Sequence, residues 1–166
     1  MPHFEEGPLP VDVGVFKTAV PYRHFNERDW EALGEVLRPV TVPTGQAVFA
    51  EGDRGDGFFL IRTGRVKIRR MVDPEEKGKK QEQLLTILSS GQLFGEMALV
   101  DGAPRSADAV AEDDTVLYHL SQADYEGLKG KHPGTALRIQ DLLVTTLSLR
   151  LREANRSFEI IQFWLA

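Results

Sequence analysis

This chain of 166 residues has no cysteine and no long hydrophobic run. The absence of cysteine excludes disulfides and thiolate chemistry, and it leaves the redox compartment undetermined. No apolar run approaches the roughly 20 residues that a membrane-spanning helix needs, so we expect no membrane association. The first ten residues, MPHFEEGPLP, are acidic and lack the basic-then-apolar pattern of a secretory signal. The sequence therefore predicts a cytoplasmic protein.

Histidine is also scarce, and neither sign of charge dominates. The histidines at positions 3, 24, 119 and 132 show none of the spacings of metal ligands, which argues against a catalytic metal. Ser106 has no His–Asp pair near it in sequence, which argues against nucleophilic catalysis. Twenty basic and 25 acidic residues give a net charge of −5, which argues against broad nucleic-acid affinity. We expect neither an enzyme nor a nucleic-acid-binding protein.

What the chain does contain is enough apolar sequence for one core. Its apolar content is 42% and its charged content 27%, both ordinary for a globular domain. Residues 1–15 are rich in proline and glycine and predict a loose segment. We divide the chain into an N-terminal arm (1–24), a folded domain (25–156) and an apolar C-terminal tail (157–166).

The central part of the chain has a sequence pattern typical of a β-roll. Between Val40 and Leu120, short apolar runs alternate with turns that contain glycine, aspartate or proline. The predicted strands are Val48–Phe49, Phe58–Ile61, Val66–Ile68, Leu84–Leu88 and Val116–Leu120. Residues 73–83 are highly charged and predict a solvated hairpin tip. The residues predicted for the core by default are Leu84, Leu85, Ile87, Phe94, Met97, Leu99 and Val110.

Helices are predicted on both sides of this region. Asn26 with Asp29 three residues later predicts a capped helix that runs to about Leu37 and stops before Pro39. Ser121 followed by Asp124 predicts the cap of a short helix to about Leu128. Pro133 suits the first turn of a second helix that reaches about residue 156. The sequence thus predicts a mixed β and α fold: a single antiparallel, jelly-roll-like β-roll flanked by N-terminal and C-terminal helices.

The run from Phe94 to Ala111, FGEMALVDGAPRSADAVA, is the most informative in the chain. It places a carboxylate, Glu96, and a guanidinium, Arg105, around a short turn bounded by glycine. A hydroxyl, Ser106, follows the arginine directly. An arginine fork, a hydroxyl and free backbone N–H groups suit a buried phosphate, and a nearby carboxylate suits a ribose hydroxyl. This chemistry fits a ribose-phosphate ligand with one negative charge.

These residues resemble the phosphate-binding cassette of cyclic-nucleotide-binding domains, in the catabolite-activator-like group. The matching segments are Phe94-Gly95-Glu96-Met97-Ala98-Leu99 and Pro104-Arg105-Ser106-Ala107. Two further stretches, Gly45–Asp53 and Phe59–Val66, resemble the family's strand-and-turn patterns, so the resemblance covers about residues 25–156. Asp108 departs from the Thr, Ser or Val of many members, and we expect its side chain to point away from a phosphate.

The resemblance implies roles for individual residues. Glu96 would hold the ribose 2′-hydroxyl, Arg105 would pair with the cyclic phosphate, and Ser106 would also contact that phosphate. The expected ligand-binding residues are Gly95, Glu96, Met97, Ala98, Arg105, Ser106, Ala107 and Arg150. No cofactor is expected, and the ligand would be cAMP or cGMP, with cAMP favoured.

The predicted C-terminal helix is apolar over an arc of about 200°, wider than a single core contact requires. A helix of this kind meets two surfaces, so we expect a homodimer as well as packing on the β-roll. Arg150 falls near the middle of the arc, where burial without a partner would be unfavourable. Three interpretations remain open: a snorkelling side chain, a salt bridge to a carboxylate, or a contact with the ligand base beneath a lid helix.

These observations predict a non-enzymatic sensor that converts binding of a cyclic mononucleotide into altered packing of its C-terminal helix. Little chain follows that helix, so we expect the output to go to a protein partner or a dimer partner rather than to DNA. Two alternatives stay open: a binder of another ligand, such as a cyclic dinucleotide, and a ligand-free interaction scaffold. The intact pair of Glu96 and Arg105 counts against the scaffold.

Overall fold

The computed structural model describes residues 3–4, 11–73 and 78–165, with the backbone alone for residues 3–4 and 157–165. The strands are β1 (His3–Phe4), β2 (Arg38–Val42), β3 (Ala47–Phe49), β4 (Gly57–Thr63), β5 (Arg65–Val72), β6 (Gln81–Ser89), β7 (Leu93–Phe94), β8 (Asp108–Ala111) and β9 (Thr115–Ser121). The helices are α1 (Gly14–Thr18), a 3₁₀ turn (Val20–Tyr22), α2 (Glu27–Val36), α3 (Glu96–Asp101), α4 (Gln122–Lys131) and α5 (Pro133–Leu165).

The strands pair antiparallel and form two sheets. One sheet has the order β1-β2-β9-β4-β7, and the other has the order β3-β8-β5-β6. Together with the helices before β2 and after β9, they confirm the predicted antiparallel β-roll flanked by N-terminal and C-terminal helices.

Strand β4 separates two hydrophobic cores. Its even residues, Phe58 and Leu60, pack with the helices, whereas its odd residues, Phe59 and Ile61, pack between the two sheets. Both faces are buried, which explains why this strand reads as a continuous apolar run instead of an alternating one. Strand β9 alternates in the same way, and Leu117 lies in the core between the sheets.

The predicted helix starts are confirmed by their caps. The Asn26 side chain accepts from the Asp29 N–H (3.1 Å) and the Asp29 side chain accepts from the Asn26 N–H (2.8 Å), so the capping box is complete. Ser121 Oγ accepts from the Asp124 N–H at the start of α4 (3.0 Å). Helix α5 begins at Pro133 and its backbone continues to Leu165, through most of the segment assigned as the tail. The side chains of residues 157–166 lie outside the described part.

The N-terminal segment is more integrated than the sequence indicated. Phe16 and Tyr22 fall within the range assigned to the arm, yet both are buried in the core beneath the helices. Their rings make an edge contact at 5.4 Å between centroids, and Phe16 stacks near Trp30 at 6.4 Å. Aromatic packing of this kind is decided by partners distant in sequence, so proline and glycine content alone did not reveal it.

Some predicted core residues are exposed. Leu84, Leu85 and Ile87 lie on β6 and are 52%, 48% and 41% exposed, and Met97 on α3 is 47% exposed. The prediction was wrong for the three β6 residues because β6 is the edge of its sheet and the helical core packs on the other sheet. It was also wrong for Met97, which lies on the exposed side of α3. Strands β1, β2, β7 and β8 were not predicted either, and β1 falls within residues 1–15, which were expected to be loose.

A buried carboxylate ties the base of α5 to α2. Asp29 is 2% exposed, and its Oδ1 accepts from Thr135 Oγ1 at 2.8 Å and from Arg138 Nη1 at 3.1 Å. Arg138 also donates from Nε to the His24 carbonyl at 2.8 Å. Because Asp29 also caps α2, one side chain fixes the start of one helix and the position of another.

We expect Asp29→Ala to lower the free energy of unfolding by about 2–4 kcal/mol, because it removes a cap and leaves the buried Thr135 hydroxyl unpaired. Urea denaturation followed by circular dichroism measures this change. Asp141→Ala, at an exposed carboxylate of α5, is the matched control and should leave the midpoint unchanged. Equal midpoints for the two variants would contradict the role given to Asp29.

Candidate ligand-binding site

Gly95 shapes the turn from β7 into α3. Its φ is 76°, in the left-handed region, and a Cβ at this position would lie 2.7 Å from Arg105 Nη1. Both facts favour glycine, which has no side chain to clash or to strain the backbone. The turn makes Glu96 the first residue of α3 and buries its side chain, which is 1% exposed.

Arg105 is a buried cation held by backbone carbonyls. It is 5% exposed, and its Nη1 donates to Gly57 O at 2.9 Å and to Gly95 O at 2.6 Å. Its guanidinium carbon lies 4.3 Å from the centre of the Phe49 ring, within cation–π range. Burial lowers the pKa of Arg105, while the carboxylates of Asp56, Asp53 and Glu96 raise it. The guanidinium is thus oriented from one side and stays charged.

The opposite edge of this guanidinium has few acceptors among the described residues. Among the described residues, the buried Nε of Arg105 has no hydrogen-bond partner, and Nη2 makes only a 3.5 Å contact with Asp56 Oδ1. Nε and Nη2 form the edge that binds a carboxylate or phosphate through two parallel hydrogen bonds. The geometry therefore suits one anionic group in front of Arg105.

Glu96 connects the same site to α5. Its Oε1 accepts a short hydrogen bond from Arg150 Nη1, and Arg150 Nη2 donates to Leu93 O at 2.6 Å. Its Oε2 is buried and has no hydrogen-bond partner among the described residues. Of the three interpretations of Arg150, the structure shows a salt bridge to a carboxylate. That carboxylate is the one expected to hold a ribose.

The remaining predicted residues surround this pair. Ala98 and Ala107 are buried, whereas Ser106 and Met97 are exposed, with 3.8 Å between Ser106 Oγ and Met97 Sδ. Small buried residues allow the backbone of the cassette to approach closely. The exposed Ser106 hydroxyl follows Arg105 directly and remains accessible to a ligand.

Asp108 is engaged in contacts of its own. Its Oδ1 accepts from the Glu51 N–H at 2.8 Å, and its Oδ2 lies 3.5 Å from Arg69 Nε. These contacts hold β8 to the loop after β3 and to β5. They agree with the expectation that the Asp108 carboxylate is directed elsewhere than toward a phosphate.

Sequence reasoning missed three residues at this site. Phe49 supplies the ring beneath Arg105, Asp56 is its carboxylate neighbour, and His119 places Nε2 3.4 Å from Asp56 Oδ1. The alternation along β9 could have placed His119 on the face of Leu117, between the sheets. No local signal relates it to Arg105, because the contact depends on the pairing of β9 with β4.

The described residues contain neither a candidate metal site nor a candidate membrane-spanning helix. No group of three or more histidine or acidic side chains there is arranged to hold a metal ion. Within the same part of the chain, no helix has the length and apolar character needed to cross a bilayer.

Comparison with known proteins points to one family. Residues 39–132 match the family described as "Cyclic nucleotide-binding domain". The chain is 38% identical over 121 residues to the cyclic AMP receptor protein of Thermus thermophilus, covering 73% of this chain and 52% of that protein. It is 32% identical over 132 residues to a CRP-like cAMP-activated global transcriptional regulator of Mycobacterium tuberculosis, covering 80% and 55%. The chain thus spans about half the length of these relatives.

Solved structures agree with this match. A cyclic nucleotide-binding domain from Methylobacillus flagellatus superposes with a TM-score of 0.73 at 28% identity, covering 80% of this chain and 72% of that one. The catabolite activator protein of Thermus thermophilus superposes with a TM-score of 0.71 at 33% identity, covering 87% and 64%. Glu96 and Arg105, the charged residues of the cassette, are both buried in this fold. This chain belongs to the cyclic nucleotide-binding domain family.

Proposed function

We propose that the chain is a non-enzymatic sensor that binds a cyclic mononucleotide and passes the signal to α5. The observation that carries the proposal is the position of the Glu96 carboxylate. One of its oxygens binds Arg150 of α5, and the other is buried without a partner among the described residues. A ligand that engages Glu96 therefore acts on a group that α5 already contacts.

The polar groups of the site match the parts of a cyclic nucleotide. The open Nε and Nη2 edge of Arg105 would bind the singly charged cyclic phosphate, helped by the exposed Ser106 hydroxyl and by backbone N–H groups of the cassette. Glu96 Oε2 would accept a hydrogen bond from the ribose 2′-hydroxyl. A buried donor and a buried acceptor that lack partners in the described part of the chain favour a ligand-binding domain over a ligand-free scaffold.

cAMP is the proposed ligand. Both relatives described above carry cyclic AMP in their names, one as a cyclic AMP receptor protein and the other as a cAMP-activated transcriptional regulator. A hydroxyl after the cassette arginine is compatible with cAMP but does not decide between bases. cGMP and a cyclic dinucleotide are therefore the competing ligands in any titration.

The binding signal would pass to the part of α5 that follows its buried N-terminal turns. Ala136, Ile139, Leu142 and Leu143 are buried against the core, whereas residues 151–156 are all exposed. Arg150 joins the exposed half to Glu96 and to the Leu93 carbonyl. A ribose hydroxyl at Glu96 would change the balance of these contacts, and with it the pose of the helix.

One exposed face of α5 suits a second copy of the chain. Leu137, Val144 and Leu151 are 58%, 59% and 63% exposed and recur every seven residues, and the partly buried Leu147 lies four residues before Leu151. Apolar residues at this spacing form the seam of a coiled coil. The proposed partners are a second copy through this seam and a further protein that reads the pose of α5. The net charge of −5 does not favour nucleic acid as a partner.

Arg105→Ala should weaken cAMP binding by roughly two orders of magnitude or more, because the bound phosphate loses its charge-assisted partner, about 2–4 kcal/mol. Calorimetric titration with cAMP, cGMP and a cyclic dinucleotide measures affinity and ligand choice together. Arg28→Ala, at an exposed arginine of α2, is the control and should bind as the wild type does. Near-wild-type affinity in Arg105→Ala would contradict the assignment of the phosphate site.

Arg150→Ala should lower thermal stability without nucleotide, because it leaves the Glu96 carboxylate buried and unpaired, and Glu96→Gln in the same chain should restore part of the loss. We expect a coupling of about 1–3 kcal/mol between the two positions in a double-mutant cycle.

Hydrogen exchange over residues 145–156 should respond to cAMP in the wild type and in the control Arg152→Ala, but not in Arg150→Ala. An unchanged response in Arg150→Ala would separate Arg150 from signal transmission.

Val144→Glu should convert a dimer into a monomer, because it places a charge in the apolar seam of the coiled coil. Multi-angle light scattering at micromolar concentration measures the mass with and without cAMP. Thr145→Glu introduces the same charge at the neighbouring exposed position, which points away from the seam, and should leave the dimer intact. A monomeric wild type under both conditions would rule out this assembly.

A further inference from the structure

A buried histidine lies behind the phosphate site. His119 is on β9, is 5% exposed, and stacks on Phe59 with 4.7 Å between ring centroids. Its Nε2 lies 3.4 Å from Asp56 Oδ1. The mechanism proposed above does not use this imidazole.

Asp56 stands between the histidine and the arginine. The same Oδ1 that lies 3.4 Å from His119 Nε2 also lies 3.5 Å from Arg105 Nη2. The Asp56 side chain is 70% exposed, whereas the side chains of Arg105 and His119 are 4% and 7% exposed. One carboxylate oxygen at the mouth of the site is thus shared between two buried groups.

The charges that face His119 come from three elements. Burial is the main influence and lowers the pKa of His119 below its usual value of 6.5. Asp56 in the loop before β4 and Asp124 on α4 raise it, and Arg105 lowers it. With Asp56 shared with Arg105, the imidazole is mostly neutral near pH 7.

An anion bound to Arg105 would change this balance. A phosphate on the Nε and Nη2 edge would occupy the side of the guanidinium that Asp56 faces, and it would bring a second negative charge beside that carboxylate. Protonated His119 would offer Asp56 a positive partner and would offset the added charge. The geometry requires no new contact, only that Asp56 moves from the arginine to the histidine.

We propose that His119 is a positioning residue of the phosphate site, which takes up a proton and holds Asp56 away from Arg105 when the anionic ligand binds. The inference rests on the proposed function, because it needs a phosphate at Arg105. His119 touches no ligand in this scheme and acts through Asp56. Binding a cyclic nucleotide is then linked to protonation of a group that the cassette motif does not contain.

The direction of the pH dependence follows from linkage. Binding raises the pKa of His119 from its lowered value, so the gain in affinity is fully present below the free-protein pKa and is lost as pH rises through the bound-state pKa. The cyclic phosphodiester is ionised throughout this range and contributes no proton. Affinity for cAMP should therefore increase as pH falls from 7.5 to 5.5, by about three- to tenfold.

The test is calorimetric titration with cAMP at pH 5.5, 6.5 and 7.5, in two buffers of different ionisation enthalpy. The wild type should show proton uptake and a pH-dependent affinity. His119→Gln should lose both and should bind at pH 5.5 about as it does at pH 7.5. His24→Gln, at an exposed histidine outside the site, should retain the wild-type pH profile. Asp56→Asn should weaken the pH dependence, because the carboxylate that His119 shares with Arg105 is then lost.

A second measurement needs no variant and guards against a misfolded His119→Gln. NMR titration of the histidine ring protons in the wild type should show a higher pKa for His119 with cAMP than without. A pH-independent affinity, or an unshifted His119, overturns the proton linkage while leaving cAMP binding intact. Absence of cAMP binding at every pH, with folded protein, would instead overturn the proposed function.

Discussion

The burial of a single cation, the Arg105 guanidinium, is the constraint around which the site is arranged. A buried charge is costly unless it is hydrogen-bonded on every side. Here the Gly57 and Gly95 carbonyls satisfy one nitrogen and the Phe49 ring covers a face. A Cβ at Gly95 would clash with Arg105, so the position of Arg105 requires glycine here as much as the turn does. Among the described residues Nε has no partner and Nη2 has only the 3.5 Å contact with Asp56, and the proposed anionic ligand would bind at this edge.

A second charge, on Glu96, connects this pocket with the rest of the fold. Glu96 is almost fully buried, and its visible partner is an arginine that comes from a helix 54 residues later in the chain. The base of that helix is fixed elsewhere, by the buried contact of Asp29 with Thr135 and Arg138. Helix α5 is therefore anchored at its start and joined to the ligand site farther along. Under the proposed function, this arrangement would let ligand binding at Glu96 change the position of the exposed apolar seam on α5.

Much of the local structure could be predicted, because short-range chemistry decides it. The Asn26 capping box, the Ser121 cap and the start of α5 at Pro133 each depend on residues within one turn of helix. The strongest strand, β4, was visible because both of its faces are buried. Predictions failed where burial depends on which elements pack against a strand. Leu84 and Ile87 are apolar and look like core residues, but they remain exposed because little of the described chain packs against β6.

The sequence by itself determined the family and the cassette, because Gly95, Glu96, Arg105 and Ser106 stand in a pattern of types and spacings that carries a specific chemistry. It also showed that Arg150 needs a partner, because helical periodicity places it in an apolar arc. Only the tertiary structure decided which partner that is, and that Phe49, Asp56 and His119 lie around Arg105. These contacts join strands, loops and a helix that are distant along the chain. Their geometry comes from sheet pairing and helix packing, which no local pattern of residues encodes.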